Sequence, residues 1–216
     1  MLIIFDLDGT LIDSARDLEI ATNQTRAQFG MEPLDANLIH SYVGNGAAVL
    51  VKRAMGPEAS EPLVSDALLF FVKYYRAHAL ANTRLYPGVQ GVIDGLAEQG
   101  HTLAVLTNKP IKISTDILAG LGVGPRFARV YGGDSFARKK PDPVGITTLM
   151  TETAGHADDT WMVGDSAVDV RTARNAGVKA CGVAWGFQPE SFDEYPPDVV
   201  IHDPAELPRV ISQAGR

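Results

Sequence analysis

The chain has 216 residues, of which 45% are hydrophobic, and its formal net charge is −7 at pH 7. This length suits one domain, or one domain with a modest insertion, and the hydrophobic fraction excludes a mainly disordered chain. The sequence has no basic stripe that would favour a nucleic-acid partner, so none is expected. With this acidic balance, an anionic substrate would need a local cation or metal.

Cys181 is the single cysteine, so no disulfide can form within the chain. Its apolar neighbours predict a packed thiol in a buried strand. The chain starts directly with an apolar strand and has neither a charged leader nor a run of membrane-spanning length. We therefore expect a cytoplasmic protein without a membrane partner. The sequence has no clear interface signature, so we expect a monomer or a homodimer.

The first predicted element is a buried parallel strand over residues 2–5, which is followed by a polar turn that contains glycine. The next stretch contains no predicted strand, and its apolar residues recur close to helical spacing. We interpret residues 15–80 as a helical cap that is inserted into the chain. Residues 1–14 and 81–216 then form the core.

The second half of the chain alternates between strands and helices. Strands are predicted over residues 102–106, 130–131, 161–163, 179–183 and 199–201, with helices near residues 113–121, 144–150 and 168–176. Such alternation is typical of a parallel sheet that is covered by helices on both faces. We therefore predict an α/β fold with a Rossmann-like, doubly wound parallel sheet as its core.

Two carboxylates follow the first strand, in the segment FDLDGT. Ligands of such sheets bind beyond the carboxyl ends of the strands, where Asp6 should lie. Asp6 can attack phosphorus as a nucleophile, and Asp8 can donate a proton to the leaving oxygen and later activate water. Two carboxylates this close also favour a bound Mg²⁺. The structural alternative is an Asp-rich turn in which Gly9 supplies a positive φ.

Another carboxylate pair follows the predicted strand 161–163, in the segment VGDSAVD. Asp165 should lie at the same edge of the sheet as Asp6, and Asp169 should lie one helical turn further on, on the same side. Asp165 can bind a metal with support from Asp169. The alternative is an ordinary helix start, in which Asp or Ser caps the helix and Asp169 complements its dipole.

Two further polar segments complete the pattern, and for each an ordinary structural role is the alternative. Thr107 and Asn108 follow the strand 102–106, where a hydroxyl and backbone N–H groups can hold phosphoryl oxygens at a helix start. A lysine of the segment KKPDP, Lys139 or Lys140, can neutralise the phosphoryl group and Asp6 during transfer. Each segment alone is weak evidence. Together they supply what phosphoryl transfer requires, which is positioning and charge neutralisation.

These four segments, in this order, resemble the motifs of the haloacid dehalogenase superfamily, in its large phosphatase branch. The resemblance implies that Asp6 is the nucleophile, Asp8 the general acid and base, and Thr107 the phosphoryl-binding hydroxyl. It also implies that Lys140, which immediately precedes the proline of KKPDP, is the motif-three lysine, with Lys139 as the alternative. Thr107, Asn108 and Lys140 are then the residues that bind the substrate's phosphoryl group.

The same resemblance implies how the cofactor is held. Mg²⁺ would be bound by the Asp6 side chain, the Asp8 backbone carbonyl and Asp165, with Asp169 as the supporting carboxylate. The helical segment 15–80 resembles the C1-type cap of this superfamily, which closes over the site and excludes water.

A closer resemblance is to phosphoglycolate phosphatases, in the segments YVGNG, YPGV, TNKP, GGDS and KKPDP. It implies that a small phosphorylated metabolite, 2-phosphoglycolate, is hydrolysed to glycolate and phosphate through an aspartyl-phosphate. Lys52 and Arg53 of the predicted cap can meet a substrate carboxylate, although a solvated helix face is the stronger interpretation for both.

Other activities of the same superfamily stay open as alternatives. They are a sugar-phosphate phosphatase, a pyrophosphatase and a phosphomutase, in which the aspartyl-phosphate persists and passes to a second hydroxyl. A metal-independent dehalogenase needs neither Asp8 nor Asp165, so both residues argue against it. A non-catalytic binding module is the alternative from another class, and the intact set of candidate catalytic residues argues against it.

Overall fold

The structure is a computed structural model that describes residues 1–213. Its strands form one six-stranded sheet and one two-stranded ribbon. In chain order the strands are β1 (Leu2–Phe5), β2 (Ile12–Asp13), β3 (Arg84–Leu85), β4 (Thr102–Leu106), β5 (Arg129–Tyr131), β6 (Thr160–Gly164), β7 (Lys179–Val183) and β8 (Val199–Ile201). The central sheet is parallel throughout, in the order β5-β4-β1-β6-β7-β8. The six strands of this sheet agree with the predicted ones.

Helices occupy most of the remaining chain. They are α1 (Ala15–Gln28), α2 (Ala36–His40), α3 (Ala47–Met55), α4 (Glu61–His78), α5 (Val89–Glu98), α6 (Ile111–Gly120), α7 (Val144–Thr153), α8 (Ala167–Ala176) and α9 (Leu207–Gln213). The four helices α1 to α4 lie between β2 and β3, so the helical character predicted for this segment is confirmed. No helix within residues 1–213 is long and apolar enough to cross a lipid bilayer.

Both faces of the central sheet are covered, which confirms the predicted α/β class. Ile3 and Phe5 of β1 pack into one apolar cluster with α5, α6 and α9, whereas Leu2 and Ile4 pack into another with α7 and α8. Successive side chains of a strand point to opposite faces, so a strand that is buried on both sides is apolar at every position. The free thiol of Cys181 is buried in the first cluster, as predicted.

The register of the central strands brings their carboxyl ends to one level. Phe5 lies opposite Val105 of β4 and Val163 of β6, and the Asp6 amide donates to the Val163 carbonyl over 2.9 Å. Strands β4 and β5 lie on one side of β1, and strands β6, β7 and β8 lie on the other. The strand order therefore reverses beside β1, which is where open α/β sheets bind their ligands.

The antiparallel ribbon of β2 and β3 joins the two chain segments that flank α1 to α4. Ile12 lies opposite Leu85, and Asp13 lies opposite Arg84. The sequence analysis did not predict this ribbon, because two residues in each strand are too few for an alternating pattern to be visible.

A buried carboxylate ties the start of α1 to the chain that returns before β3. Asp17 accepts hydrogen bonds from the backbone amides and the side chains of both Asn82 and Thr83, over 2.7–3.1 Å. Burial by itself raises the pKa of Asp17, but these hydrogen bonds outweigh it and lower the pKa below its usual value. Asp17 therefore stabilises the fold as a carboxylate anion.

We expect Asp17→Asn to lower the free energy of unfolding by about 2–4 kcal/mol. The introduced amide keeps one acceptor oxygen but replaces the other by an NH₂ group, which would face the N–H and O–H donors of Asn82 and Thr83. Urea denaturation of both proteins measures the loss. The control is Glu19→Gln, which removes a surface ion pair of the same helix and should cost less than about 1 kcal/mol.

The same loss should depend on pH. The pKa of Asp17 is depressed in the folded state. The contribution of Asp17 to folding stability is therefore complete above a pH of about 3.8, the usual aspartate pKa, and disappears as the pH falls through the pKa of the folded state. A difference between wild type and Asp17→Asn that grew in acid would contradict this assignment.

Candidate active site

Three buried carboxylates meet beyond the ends of β1 and β6. Asp6 follows β1 and Asp165 follows β6, while Asp169 lies in the first turn of α8. Each of them has an oxygen atom within 4.8 Å of an oxygen atom of the other two. The register of the strands thus brings together carboxylates that are far apart in the sequence.

A buried lysine lies within this cluster. Lys140 Nζ is 3.0 Å from Asp6 Oδ1 and 2.6 Å from Asp169 Oδ1, and its side chain is only 1% exposed. Lys139, the alternative considered above, instead donates to the backbone carbonyl of Asn45. The structure therefore puts Lys140, and not Lys139, beside Asp6.

The charges of the cluster do not balance. Burial raises the pKa of Asp6 to about 6, with Lys140 lowering it and Asp169 raising it. Burial also raises the pKa of Asp165 well above its usual value, and Asp169 and Asp6 raise it further. For Lys140, burial works to lower the pKa, but Asp169 and Asp6 outweigh it and keep the ammonium charged. One ammonium thus faces three carboxyl groups. The negative charge that it does not balance would favour binding of a further cation.

The donor set fits a hard divalent cation. The Asp6 and Asp165 carboxylates supply the oxygen ligands that Mg²⁺ prefers. Both are oriented by backbone amides, since Leu7 N donates to Asp6 Oδ1 and Phe187 N donates to Asp165 Oδ2, each over 2.7 Å. The predicted metal ligands are thereby held in place by groups other than the metal.

Gly9 allows the turn after β1 to approach Asp165 closely. Its φ is +78°, as the turn interpretation of this segment requires, and a Cβ added at this position would lie 2.1 Å from Asp165 Oδ2. A larger residue would therefore clash with the site as well as strain the backbone. The turn interpretation of the FDLDGT segment is confirmed, and the same turn lets the chain beyond Asp6 lie against Asp165.

Asp169 likewise has two contacts of different kinds. Its Oδ2 accepts from the Ser166 hydroxyl over 2.8 Å and from the Ser166 amide over 3.2 Å, at the start of α8. Its Oδ1 accepts from Lys140. The helix-start interpretation is confirmed by the capping box with Ser166, while the other oxygen of the same carboxylate contacts Lys140.

The Asp8 side chain points away from the three-carboxylate cluster. Asp8 Oδ1 accepts from the Ser14 hydroxyl over 2.5 Å, and Lys109 Nζ lies 2.8 Å from Oδ1 and 3.0 Å from Oδ2. Lys109 Nζ also donates to the Tyr75 hydroxyl over 2.6 Å. The sequence analysis gave Lys109 no role, although its place in the TNKP segment just beyond a strand end is a signal that applies to it as well as to Thr107.

Thr107 and Asn108 lie at the end of β4, on the same edge of the sheet. The Thr107 hydroxyl accepts from the Lys109 amide over 3.3 Å. Asn108 Nδ2 donates to the carbonyls of Gly44 and Lys140, over 2.9 and 3.1 Å, and its buried Oδ1 has no hydrogen-bond partner within residues 1–213. Asn108 therefore joins the loop between α2 and α3 to the strand ends and keeps one acceptor unused.

Gly46, at the start of α3, lets this loop lie directly over the strand ends. Its φ is +85°, and a Cβ at this position would lie 2.8 Å from the Asn108 carbonyl oxygen. A flexible turn was the alternative considered for the YVGNG segment. The close approach to Asn108 leaves no space for a side chain at position 46, which explains why this residue is a glycine.

A small cavity of about 40 Å³ lies between helices α1 to α4 and the strand ends, with several times the volume of roughly 10–15 Å³ that one water requires. Its lining comprises Asp6, Asp8, Leu18, Val43, Gly44, Gly46, Ala47, Leu50, Phe71, Tyr75, Thr107, Asn108, Lys109, Pro110 and Ile113. Lys52 and Arg53 are exposed on α3 and do not line it. The solvated-face interpretation of these two residues is therefore confirmed.

Comparisons with known proteins agree with this geometry. Residues 3–183 match the family model for haloacid dehalogenase-like hydrolases. A phosphoglycolate phosphatase of Vibrio vulnificus is 38% identical over 97% of this chain and 95% of its own length. One of Agrobacterium fabrum is 40% identical over 95% of this chain and 90% of its own length.

Solved structures give the same picture of the fold. The crystal structure of a predicted phosphoglycolate phosphatase from Haemophilus somnus superimposes with a TM-score of 0.91. The two proteins are 32% identical, and the match covers 97% of this chain and 96% of the other. The similarity therefore extends over the α1 to α4 segment as well as the sheet.

Proposed function

Because the chain belongs to the haloacid dehalogenase-like hydrolase family and is a phosphoric monoester hydrolase, we propose that it hydrolyses 2-phosphoglycolate to glycolate and inorganic phosphate. The observation that carries the chemical part of this proposal is the contact between Asp6 and Lys140, beside two further carboxylates. A carboxylate nucleophile needs a neighbouring cation when it approaches an anionic phosphoryl group.

In the first step the Asp6 carboxylate attacks phosphorus, and the bond between phosphorus and the ester oxygen breaks. Asp8, protonated from solvent, gives its proton to that oxygen, so glycolate leaves as the alcohol. Lys140 lies against Asp6 and offsets charge on the transferring group. The product of this step is a phosphoryl group on Asp6.

In the second step water attacks phosphorus of the aspartyl-phosphate, and Asp8, now ionised, takes its proton. The bond from phosphorus to the Asp6 oxygen breaks, which releases inorganic phosphate and restores both carboxylates. Thr107 and Asn108 line the cavity beside Asp6, and we assign the Thr107 hydroxyl and the Asn108 backbone N–H to the phosphoryl oxygens. The unused Oδ1 of Asn108 is an acceptor, so its contact is with a donor such as water or a protonated oxygen.

We assign the magnesium site to Asp6, Asp165 and the Asp8 backbone carbonyl, with Asp169 in support. When bound, Mg²⁺ would offset the negative charge of the phosphoryl oxygens and the carboxylates. The support for this site is the charge imbalance of the buried cluster and its oxygen-only donor set.

The choice of 2-phosphoglycolate rests on the names of the relatives. Relatives that match over nearly their whole length are named phosphoglycolate phosphatases. A cytoplasmic location and a monomeric or homodimeric state stay predictions from the sequence.

A panel of phosphate compounds tests the substrate. Phosphate release should be fastest, by kcat/KM, from 2-phosphoglycolate when it is compared with sugar phosphates and pyrophosphate. A clear preference for a sugar phosphate or for pyrophosphate would replace the proposed substrate by that alternative. Transfer of the phosphoryl group to a second sugar hydroxyl, without release of phosphate, would indicate a phosphomutase.

Removal of the metal tests the cofactor. We expect excess chelator to abolish phosphate release and added Mg²⁺ to restore it, since the buried carboxylates would otherwise face an anionic substrate with Lys140 as their main counter-charge. Phosphate release is measured before chelation, in chelator and after Mg²⁺ is added back. Full activity in chelator would contradict the magnesium site, and chloride release from chloroacetate would then support a dehalogenase.

A further inference from the structure

Lys109 is the one cationic side chain among the described residues that lines the cavity. The residue is 6% exposed, and its ammonium has three short contacts, two with the oxygens of Asp8 and one with the Tyr75 hydroxyl. An ammonium has three donors, so all of them are occupied. A buried lysine at this point needs an explanation, because the two chemical steps above use Lys140 and have no task for a second ammonium.

The ion pair between Lys109 and Asp8 holds the Asp8 side chain in one direction. Lys109 Nζ contacts both carboxylate oxygens, on the side away from the three-carboxylate cluster. The first step needs Asp8 to turn toward the ester oxygen. The pair must therefore open when a substrate occupies the cavity, and a buried ammonium that loses its anion needs another one.

The geometry limits where that other anion can be. A general acid works within about 2.6–3.2 Å of the oxygen it protonates. Asp8 contacts Lys109 Nζ over 2.8 and 3.0 Å and has a short side chain, so an ester oxygen that Asp8 reaches by turning also lies near Lys109. An anionic group on the carbon that bears the ester oxygen is close enough to reach Lys109. A group at the far end of a sugar is not.

We propose that Lys109 is the subsite for the substrate's carboxylate, and that this carboxylate replaces Asp8 as the partner of the ammonium. The inference rests on the proposed function and deepens it, since it specifies short 2-phosphorylated carboxylic acids as the substrate class. Binding of such an acid thereby also frees Asp8 for proton transfer. A neutral ester leaves Asp8 paired with Lys109, so it should be a poor substrate in kcat as well as in KM.

Tyr75 keeps Lys109 in position while its anion is exchanged. Its hydroxyl accepts from Nζ, and the ammonium lies 4.4 Å from the centre of the Tyr75 ring. The ring itself is stacked on Phe71 of the same helix, with the centroids 5.6 Å apart. The ammonium therefore keeps one hydrogen bond and one cation–π contact when Asp8 leaves.

The test compares 2-phosphoglycolate with 2-hydroxyethyl phosphate, an ester of similar size whose alcohol part is neutral. In wild type kcat/KM should favour 2-phosphoglycolate, and Lys109→Met should lower that preference by about 100-fold or more, because it removes a charge-assisted contact to one substrate only. Tyr75→Phe should lower it less, in the same direction. The matched control is Lys112→Met, an exposed lysine of α6 whose loss should leave the preference unchanged.

An equal fall for both esters in Lys109→Met, with the preference unchanged, would overturn the inference and leave Lys109 only a role in positioning Asp8. A binding measurement separates this failure from failure of the proposed function. In Asp6→Asn, 2-phosphoglycolate should bind at least 10-fold more tightly than 2-hydroxyethyl phosphate, and adding Lys109→Met should remove the difference. Equal binding of the two esters to Asp6→Asn overturns the subsite whether or not the wild type hydrolyses either of them.

Discussion

Replacing Asp6 by Asn should lower kcat for the best phosphate ester by at least about 10³-fold, because an amide oxygen does not form the phosphoryl bond that a carboxylate forms. The fold should persist. The introduced amide is neutral, so the repulsion with Asp165 and Asp169 falls, and Lys140 keeps its 2.6 Å contact with Asp169. Steady-state phosphate release measures the activity, and thermal unfolding measures the stability.

Asp66→Asn is the matched control for this experiment. Asp66 is an exposed residue of α4 that does not line the cavity, so the same chemical change there should leave kcat within about twofold of wild type. Near wild-type turnover of Asp6→Asn, with the protein folded, would show that Asp6 is not the nucleophile.

Replacing Lys140 by Met should have the second largest effect on activity, a fall in kcat of about 10²–10³-fold. The ammonium lies 3.0 Å from Asp6 and 2.6 Å from Asp169, so it is in place to offset charge as the phosphoryl group meets the proposed nucleophile, Asp6. The substitution also leaves buried carboxylates without their partner, which costs about 3–5 kcal/mol of folding stability. Activity is measured below the unfolding temperature of the variant, so that the two effects are separated.

The neighbouring Lys139 provides the control, because it differs from Lys140 in what it contacts. Its Nζ donates to the Asn45 carbonyl and does not reach the carboxylate cluster. Lys139→Met should therefore lower kcat less than about 10-fold. If Lys139→Met lost more activity than Lys140→Met, the catalytic lysine would have to be reassigned.

The fold class and the position of the site could be predicted because both depend on local patterns. Short apolar runs separated by helical periodicity indicate a buried parallel sheet, and the six strands of that sheet were predicted in their places. Polar residues directly after such runs must lie at one edge of the sheet. Asp6, Thr107, Lys140, Asp165 and Asp169 were selected for this reason or from the resemblance, and the structure brings them together.

Contacts between distant residues were decided by the tertiary structure alone. Lys109 and Asp8 are 101 residues apart in the chain, and Asp17 and Thr83 are 66 apart. No periodicity or spacing relates such pairs, because the direction of a side chain depends on which helix packs above it. The sequence by itself therefore determined the sheet, its carboxyl edge and the candidate reacting groups. Only the packing of α4 and the turn after β1 decided that Asp8 faces Lys109 in the cavity where a substrate would bind.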